Sequence, residues 1–366
     1  MSIECDRVGG INLSQGVCDT PIPREVRNAA RAAIESGPNT YTRYDGIDEL
    51  RRAIATRLER HNRIKADPSS EIIVTSGSTG AFYCACMALL DPGDEVIVFE
   101  PFYGYHVNTL LAVDAVPVYV ETTPPDWSFS LESLAAAMTP RTRGIMLCTP
   151  ANPTGKVWSR AELETVAELA ERHDLFVFTD EVYEHLVYDG AQHVSPATVA
   201  RLRARTITMG SLSKTFSITG WRVGYLMADA RWARMVGYMN DLVYVCAPAP
   251  LQVGVARGLD AVPDSYYTRL REEYLQKRNM LCSALREAGL PPFVPSGAYY
   301  VLADLSRIPG TNSKDRAMKL LELTGVATVP GESFYRRGCG ETLARFCFAK
   351  TLDDLQSACQ RIRGLA

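Results

Sequence analysis

The stretch RTITMGSLSKTF, residues 205 to 216, runs from a β-branched apolar segment into small and hydroxyl residues, with a single lysine, Lys214, among them. An ammonium partly stripped of water by such neighbours has its pKa pulled down from ~10.4, which makes the neutral amine accessible. A lysine of that kind suits Schiff-base chemistry with a carbonyl. The competing reading is one solvated charge among 39 Lys and Arg. The rest of the chain weighs on that choice.

RTITM is the last of a series of short apolar runs: EIIVT, DEVIVFE, AVPVYV, RGIMLC and LFVFTD precede it from residue 71 onward. Between most of them, as at 80–90, 103–112 and 160–173, apolar residues recur at three and four positions, the helical period. Strands alternating with helices predict an α/β fold, a mostly parallel sheet flanked by helices. The flanks differ. Residues 265–288 form a long charged amphipathic segment, followed by AYYVLADL, GVATVP and LARFCFAK as strands. The expected organisation is an N-terminal segment (1–33) joining a smaller α+β domain (265–366), with a large ligand-binding domain over 34–264.

Ligands of open α/β sheets bind beyond the carboxyl ends of the strands, so the strand-to-helix turns carry the information. After EIIVT, the turn SGSTGAF with Ser78 and Thr79 offers free amides and a helix dipole to a phosphate, or simply caps a helix. It is not a Walker loop, since no Gly-Lys-Ser/Thr follows. After DEVIVFE, Tyr103 stands where an aromatic ring can stack on a planar ligand or enter the core. Asn152 precedes Pro153 in TPANPTGK, which is either an amide held at a strand end or a plain turn. Asp180 ends LFVFTD, as an N-cap or as a carboxylate kept ionised beside a cationic heterocycle. Each turn has an ordinary explanation. Together they suit one ligand that is flat, phosphorylated, basic at a ring nitrogen and an aldehyde: pyridoxal phosphate (PLP).

The bulk numbers fit a folded protein with a small-molecule partner. Hydrophobic residues make up 46% and charged residues 22% of the 366, ordinary globular values. The formal net charge of −3 leaves no footprint for nucleic acid or an anionic membrane. The ten cysteines include no CxxC pair, which points to reduced thiols and a cytoplasmic location. Cys84 and Cys86 are spaced as CxC without a neighbouring histidine, so no metal site is expected.

The motifs INLSQGVCDTPIP, NTYTRYDGIDELRRAIA, TSGSTGAF, DPGDEVIVFEPFYGY, TPANPTGKVWS, TDEVYEHL, SLSKTFSITGWRVGY and LARFCFAK follow one another from end to end. In that order they resemble a class I/II aminotransferase of the aspartate aminotransferase fold (PLP fold type I), in the branch with the kynurenine, aromatic and bacterial aspartate enzymes. The resemblance implies that Lys214 forms the Schiff base and shuttles the proton at the substrate Cα. It implies that Asp180 pairs the ring nitrogen, and that Tyr183 and Asn152 bond the phenolic oxygen. Tyr103 and Val182 would face the two sides of the ring. Ser78, Thr79, Ser211 and Arg222 would hold the phosphate, joined by Tyr41 from a neighbouring subunit in a homodimer with shared sites. Arg345 would clamp the substrate carboxylate and Gly16 would line the substrate side.

The chain departs from that pattern at Cys18 and Arg43, both common proline positions in the family, and in a short arm before INLSQG. Arg43 could meet an acidic substrate side chain, or pair with Asp45 or Asp48. The expected activity is transfer of an amino group from an L-α-amino acid to a 2-oxo acid by a ping-pong route. The same residues would also serve a PLP-dependent lyase or cyclase acting on a modified amino acid. A sensor domain coupled to DNA binding is a third reading, and no basic helix-turn-helix pattern accompanies it.

Overall fold

The computed structural model describes residues 1–37, 39–336 and 338–365. Its central sheet has eight strands in the order Ile72–Thr75, Gly224–Met227, Thr206–Ser211, Phe176–Asp180, Thr142–Cys148, Glu95–Glu100, Val116–Thr123, Ser128–Phe129. The five from Thr206–Ser211 through Val116–Thr123 pair in parallel. Such strands bury both faces, which explains why Glu95–Glu100 and Thr206–Ser211 are buried at every residue.

On one face, Phe178, Ile207 and Leu226 pack with Ala81, Ala85 and Val236. On the other, Ile97, Leu147 and Val177 pack with Leu163, Val166 and Ala170 of the helix Arg160–Arg172. Each of the Phe, Ile, Leu and Val side chains among them contributes about 1.5–3 kcal/mol when fully buried. That helix begins at a capping box in which Ser159 and Glu162 bond each other's backbone N–H.

The predicted strands of the large sheet are present with boundaries shifted by up to three residues. Gly224–Met227 was not predicted as a strand, yet it lies antiparallel between Ile72–Thr75 and Thr206–Ser211. It begins two residues after Arg222, which ends the short helix Thr219–Trp221 with a left-handed φ of 56°. Its four residues are too short a run for periodicity to mark.

A second sheet is antiparallel, in the order Pro292–Phe293, Tyr300–Asp304, Leu343–Cys347, Val329–Pro330. The helices Asp264–Glu287 and Leu352–Arg363 cover it through Leu281, Leu285, Leu355 and Ile362. The GVATVP run, expected as one strand, divides at Thr328: Val329–Pro330 joins this sheet, while Val326–Ala327 pairs with Ile11–Asn12. Ile11 and Asn12 are thereby tied to the chain that enters the smaller sheet, whereas the helix Arg24–Ser36 packs through Val26 with Leu50 and Val255. Among the described residues no helix is long and apolar enough to cross a membrane. No group of three or more metal-ligating side chains occurs among them. All ten thiols are free.

Candidate active site

The carboxyl ends of the parallel strands open onto a cavity of about 460 Å³. Every residue singled out above for the site lines it except Tyr41. Because Asp180 sits in register with Cys148 on one side and Met209 on the other, the turns after those strands reach the cavity at one level.

One end of the cavity is built for an anion. The helix Gly77–Leu89 starts there with no side-chain hydrogen bond at its N-cap, Ser76, so its first amides, near Ser78 and Thr79, point a positive dipole end at the space. Ser211 Oγ lies 2.7 Å from Ser213 Oγ and 3.1 Å from the Val223 carbonyl. The Arg222 guanidinium donates to the Thr219 and Ser76 carbonyls at 2.9 and 3.4 Å. Gly77 has φ +72°, and a Cβ there would stand 2.3 Å from Arg222 Nη2. Only glycine therefore lets the guanidinium close over the helix end.

Lys214 lies deeper. Its Nζ donates to the Gly16 carbonyl at 3.1 Å and stands 5.8 Å from the centroid of the Tyr299 ring. Burial depresses its pKa below 10.5, the direction required of an amine that attacks a carbonyl. Cys18 packs below, its thiol 3.7 Å from the Lys214 carbonyl oxygen.

The Asp180 carboxylate is buried and accepts from the Val182 amide at 3.3 Å and from His106 Nε2 at 3.0 Å. His106 stands edge-on to Tyr103, centroids 5.1 Å apart, and Tyr105 stacks on Tyr103 at 5.2 Å. Burial raises the Tyr103 pKa. Tyr183 Oη pairs with Tyr300 Oη at 3.1 Å; burial raises Tyr183 well above 10 and lifts Tyr300 to about 12. Both hydroxyls therefore remain protonated donors at neutral pH.

Arg345 comes from the smaller sheet. Its Nη1 donates to Asn152 Oδ1 and its Nη2 to the Ser14 carbonyl, both at 2.8 Å. Its guanidinium lies over the Tyr300 ring at 4.1 Å and the Phe334 ring at 4.9 Å. Its Nε is buried with no partner among the described residues. Asn152 thus serves the arginine as well as the cavity. Arg345 faces the cavity, although as an isolated strand position it reads as a solvated charge.

Two further positions stand apart. Tyr41 is 83% exposed and off the cavity. Arg43 forms a double hydrogen bond to Asp45 at 3.0 and 2.7 Å, so of the two readings of Arg43 the structure shows the pairing with Asp45. His106 and Tyr300 were not predicted from sequence. His106 lies within an apolar helix, and its partner is 74 positions away; only its place three residues after Tyr103, on the same helical face, marks it.

The residues present fit PLP: an uncapped helix end with a guanidinium for a phosphate, a buried carboxylate for a cationic ring, aromatic and aliphatic walls, and a desolvated lysine. Over residues 8–362 the chain matches the family "Aminotransferase class I and II". It is 36% identical to a probable N-succinyldiaminopimelate aminotransferase of Mycobacterium tuberculosis, across 100% of this chain and 95% of that protein. It is 33% identical to the methionine aminotransferase of Escherichia coli, across 100% and 94%. Among solved structures, the N-succinyldiaminopimelate aminotransferase of M. tuberculosis superposes with a TM-score of 0.97 at 36% identity, covering 100% of this chain and 96% of that one. The aspartate aminotransferase of Thermus thermophilus with maleate does so at 0.92 and 34%, covering 100% and 94%. The chain therefore belongs to the class I and II aminotransferases, PLP-dependent transferases that move amino groups between amino acids and 2-oxo acids.

Proposed function

We propose that this aminotransferase carries the amino group of an L-α-amino acid to a 2-oxo acid by a ping-pong route, with Lys214 as its central base. The carrying observation is a partly buried lysine with a depressed pKa, held by one carbonyl, in the same cavity as the half-satisfied Arg345. The cofactor, when bound, supplies an electron sink for the substrate Cα. Ser78, Thr79, Ser211 and Arg222 would hold its phosphate, Asp180 its ring nitrogen, Tyr183 and Asn152 its phenolic oxygen, and Tyr103 and Val182 its two faces. Lys214 moves the proton at the substrate Cα as a general base and acid. Arg345 grips the substrate carboxylate, and the Tyr300 and Phe334 rings packed on its guanidinium help keep water from it. Gly16 lines the substrate side.

Related proteins are named for side chains as different as N-succinyldiaminopimelate, methionine and aspartate. A panel of amino donors is therefore the first experiment. The visible absorbance of the bound cofactor should be lost with a donor and return with a 2-oxo acid. Release of ammonia from one amino acid with no acceptor, and no return of the absorbance, would overturn transamination.

The division into a cofactor-holding body over 34–264 and a smaller body from 1–33 and 265–366 belongs to this proposal, as does a cytoplasmic location, which the ten free thiols support. So does a homodimer. Leu242 is 76% exposed near the end of the helix Ala230–Tyr244. The Tyr238 ring of that helix stacks on Tyr44, three residues from the exposed Tyr41. An apolar patch continuous with a cofactor-family tyrosine fits a second copy of this chain.

A further inference from the structure

Behind the turn that carries Asp180 and Tyr183 lies a largely buried ionic cluster whose side chains do not line the cavity. The helix Asp48–Arg57 runs directly into a π-helical turn, Leu58–Asn62. Such turns bond i to i+5 and recur at functional positions. Here Arg57, just before the π turn, and Asn62, at its end, meet one carboxylate: Arg57 Nη2 pairs with Glu184 Oε1, and Asn62 Nδ2 donates to Glu184 Oε2 at 2.7 Å. The same guanidinium donates through Nη1 to Tyr225 Oη at 3.1 Å and lies 2.9 Å from His185 Nε2. Arg57, Asn62, Glu184 and Tyr225 are all buried.

The two ends of this cluster lead to opposite sides of the cavity. Glu184 is next to Tyr183 and its amide bonds the Glu181 carbonyl at 3.1 Å, so it belongs to the turn that begins at Asp180. Tyr225 lies opposite Gly210 in the strand pair that carries Ser211 and leads into Lys214. Its ring fits so closely over Gly210 that a Cβ there would meet it at 2.2 Å. One side chain, Arg57, therefore spans from the Asp180–Tyr183 turn to the strand behind Ser211 and Lys214.

Burial alone would raise the Glu184 pKa, but the Arg57 charge outweighs it and brings the carboxyl down to about 2. Burial and the Arg57 charge press His185 down to about 3, so its ring is neutral and accepts from Arg57. A buried ion pair seldom adds stability over apolar packing, and its best-attested use is fixing register.

We propose that Arg57, the last residue of the helix before the π turn that carries Asn62, is a positioning residue for the reaction, setting the spacing between the Asp180–Tyr183 turn and the Ser211–Lys214 turn through Glu184 and Tyr225. The proposal rests on the roles assigned above to Asp180, Tyr183 and Lys214. It acts through those groups and makes no contact with substrate.

The test uses the holoenzyme and three sets of variants. Arg57→Met combined with Glu184→Gln removes both charges, leaving no unpaired ion. A shift of the order of 1 Å between reacting groups costs about a hundredfold, so kcat is expected to fall by about 10- to 100-fold. The dissociation constant for PLP, read by absorbance titration of the apoprotein, is expected to rise about tenfold, because donors on both turns share the cofactor. The KM for the amino acid should stay within about twofold, since Arg345 is untouched. Arg57→Lys, which keeps the charge but loses the fork, should recover part of kcat and shift the bound-cofactor absorbance maximum less than the double variant. Tyr225→Phe, which removes one hydroxyl, should show the same pattern more weakly, and it decides the matter if the double variant does not fold. Unchanged kcat, PLP affinity and absorbance maximum in folded variants would overturn the proposal, as would a loss confined to KM. Failure of the wild-type half-reaction with an intact PLP titration would instead count against transamination, leaving the positioning role to be judged by PLP affinity and absorbance.

Discussion

His106 Nε2 stands 3.0 Å from Asp180 Oδ2, both side chains buried, with the histidine edge-on to the Tyr103 ring. The histidine is the only side chain bonded to this carboxylate among the described residues; its other hydrogen bond comes from the Val182 amide. Replacing His106 with Phe should leave Oδ2 without its side-chain donor at a cost of about 1–3 kcal/mol. We expect a weaker hold on PLP by about tenfold, with partial recovery in His106→Asn. Titration of the apoprotein with PLP measures both.

Lys214→Ala should abolish turnover while leaving the fold intact. The wild-type lysine also makes a pH prediction. Its folded pKa lies below 10.5 because of burial, so at pH values between that lowered pKa and 10.5 the unfolded chain binds the proton that the folded chain has released. Stability of the apoprotein therefore rises with pH across this window as the burial penalty on the ammonium is relieved. Lys214→Met should flatten that rise, as seen in denaturant midpoints measured from pH 7 to 10.

Arg345→Gln should act on substrates and spare the cofactor. Loss of a bidentate charged contact raises KM for amino acid and 2-oxo acid by about a hundredfold, while PLP affinity stays near wild type. A comparable loss of PLP affinity would instead assign Arg345 a structural role through Asn152, with which it shares a 2.8 Å bond.

Leu242→Asp tests assembly. A charge placed on the exposed end of the helix Ala230–Tyr244 should convert a dimer to a monomer in sedimentation experiments. Activity should then fall because Tyr41 of one chain no longer meets the site of the other. A monomeric wild-type protein of full activity would remove the shared-site idea.

The parallel layer was legible because each strand is a short apolar run ending in turn chemistry, and Asp180, Lys214 and Asn152 stand at those ends. Their convergence followed from topology alone. What the sequence concealed is tied to long-range pairing. His106 faces Asp180 across 74 positions, and Tyr300 meets Tyr183 across 117; neither leaves a periodic trace. Gly224–Met227 was missed because it is short and antiparallel. The division of GVATVP at Thr328 was missed because an apolar run does not say which ladder each half will join.

The Gly16 carbonyl accepts two hydrogen bonds, from Lys214 Nζ at 3.1 Å and from Tyr299 Oη at 2.9 Å. It belongs to the segment whose Ile11 and Asn12 are laced to Val326 and Ala327. Whenever the lysine turns to another partner, Gly16 keeps the tyrosine alone. The cavity wall formed by residues 14 to 17 is thus tied to the amine at one point, and faster hydrogen exchange in residues 13 to 18 is the expected sign that Lys214 has left the Gly16 carbonyl.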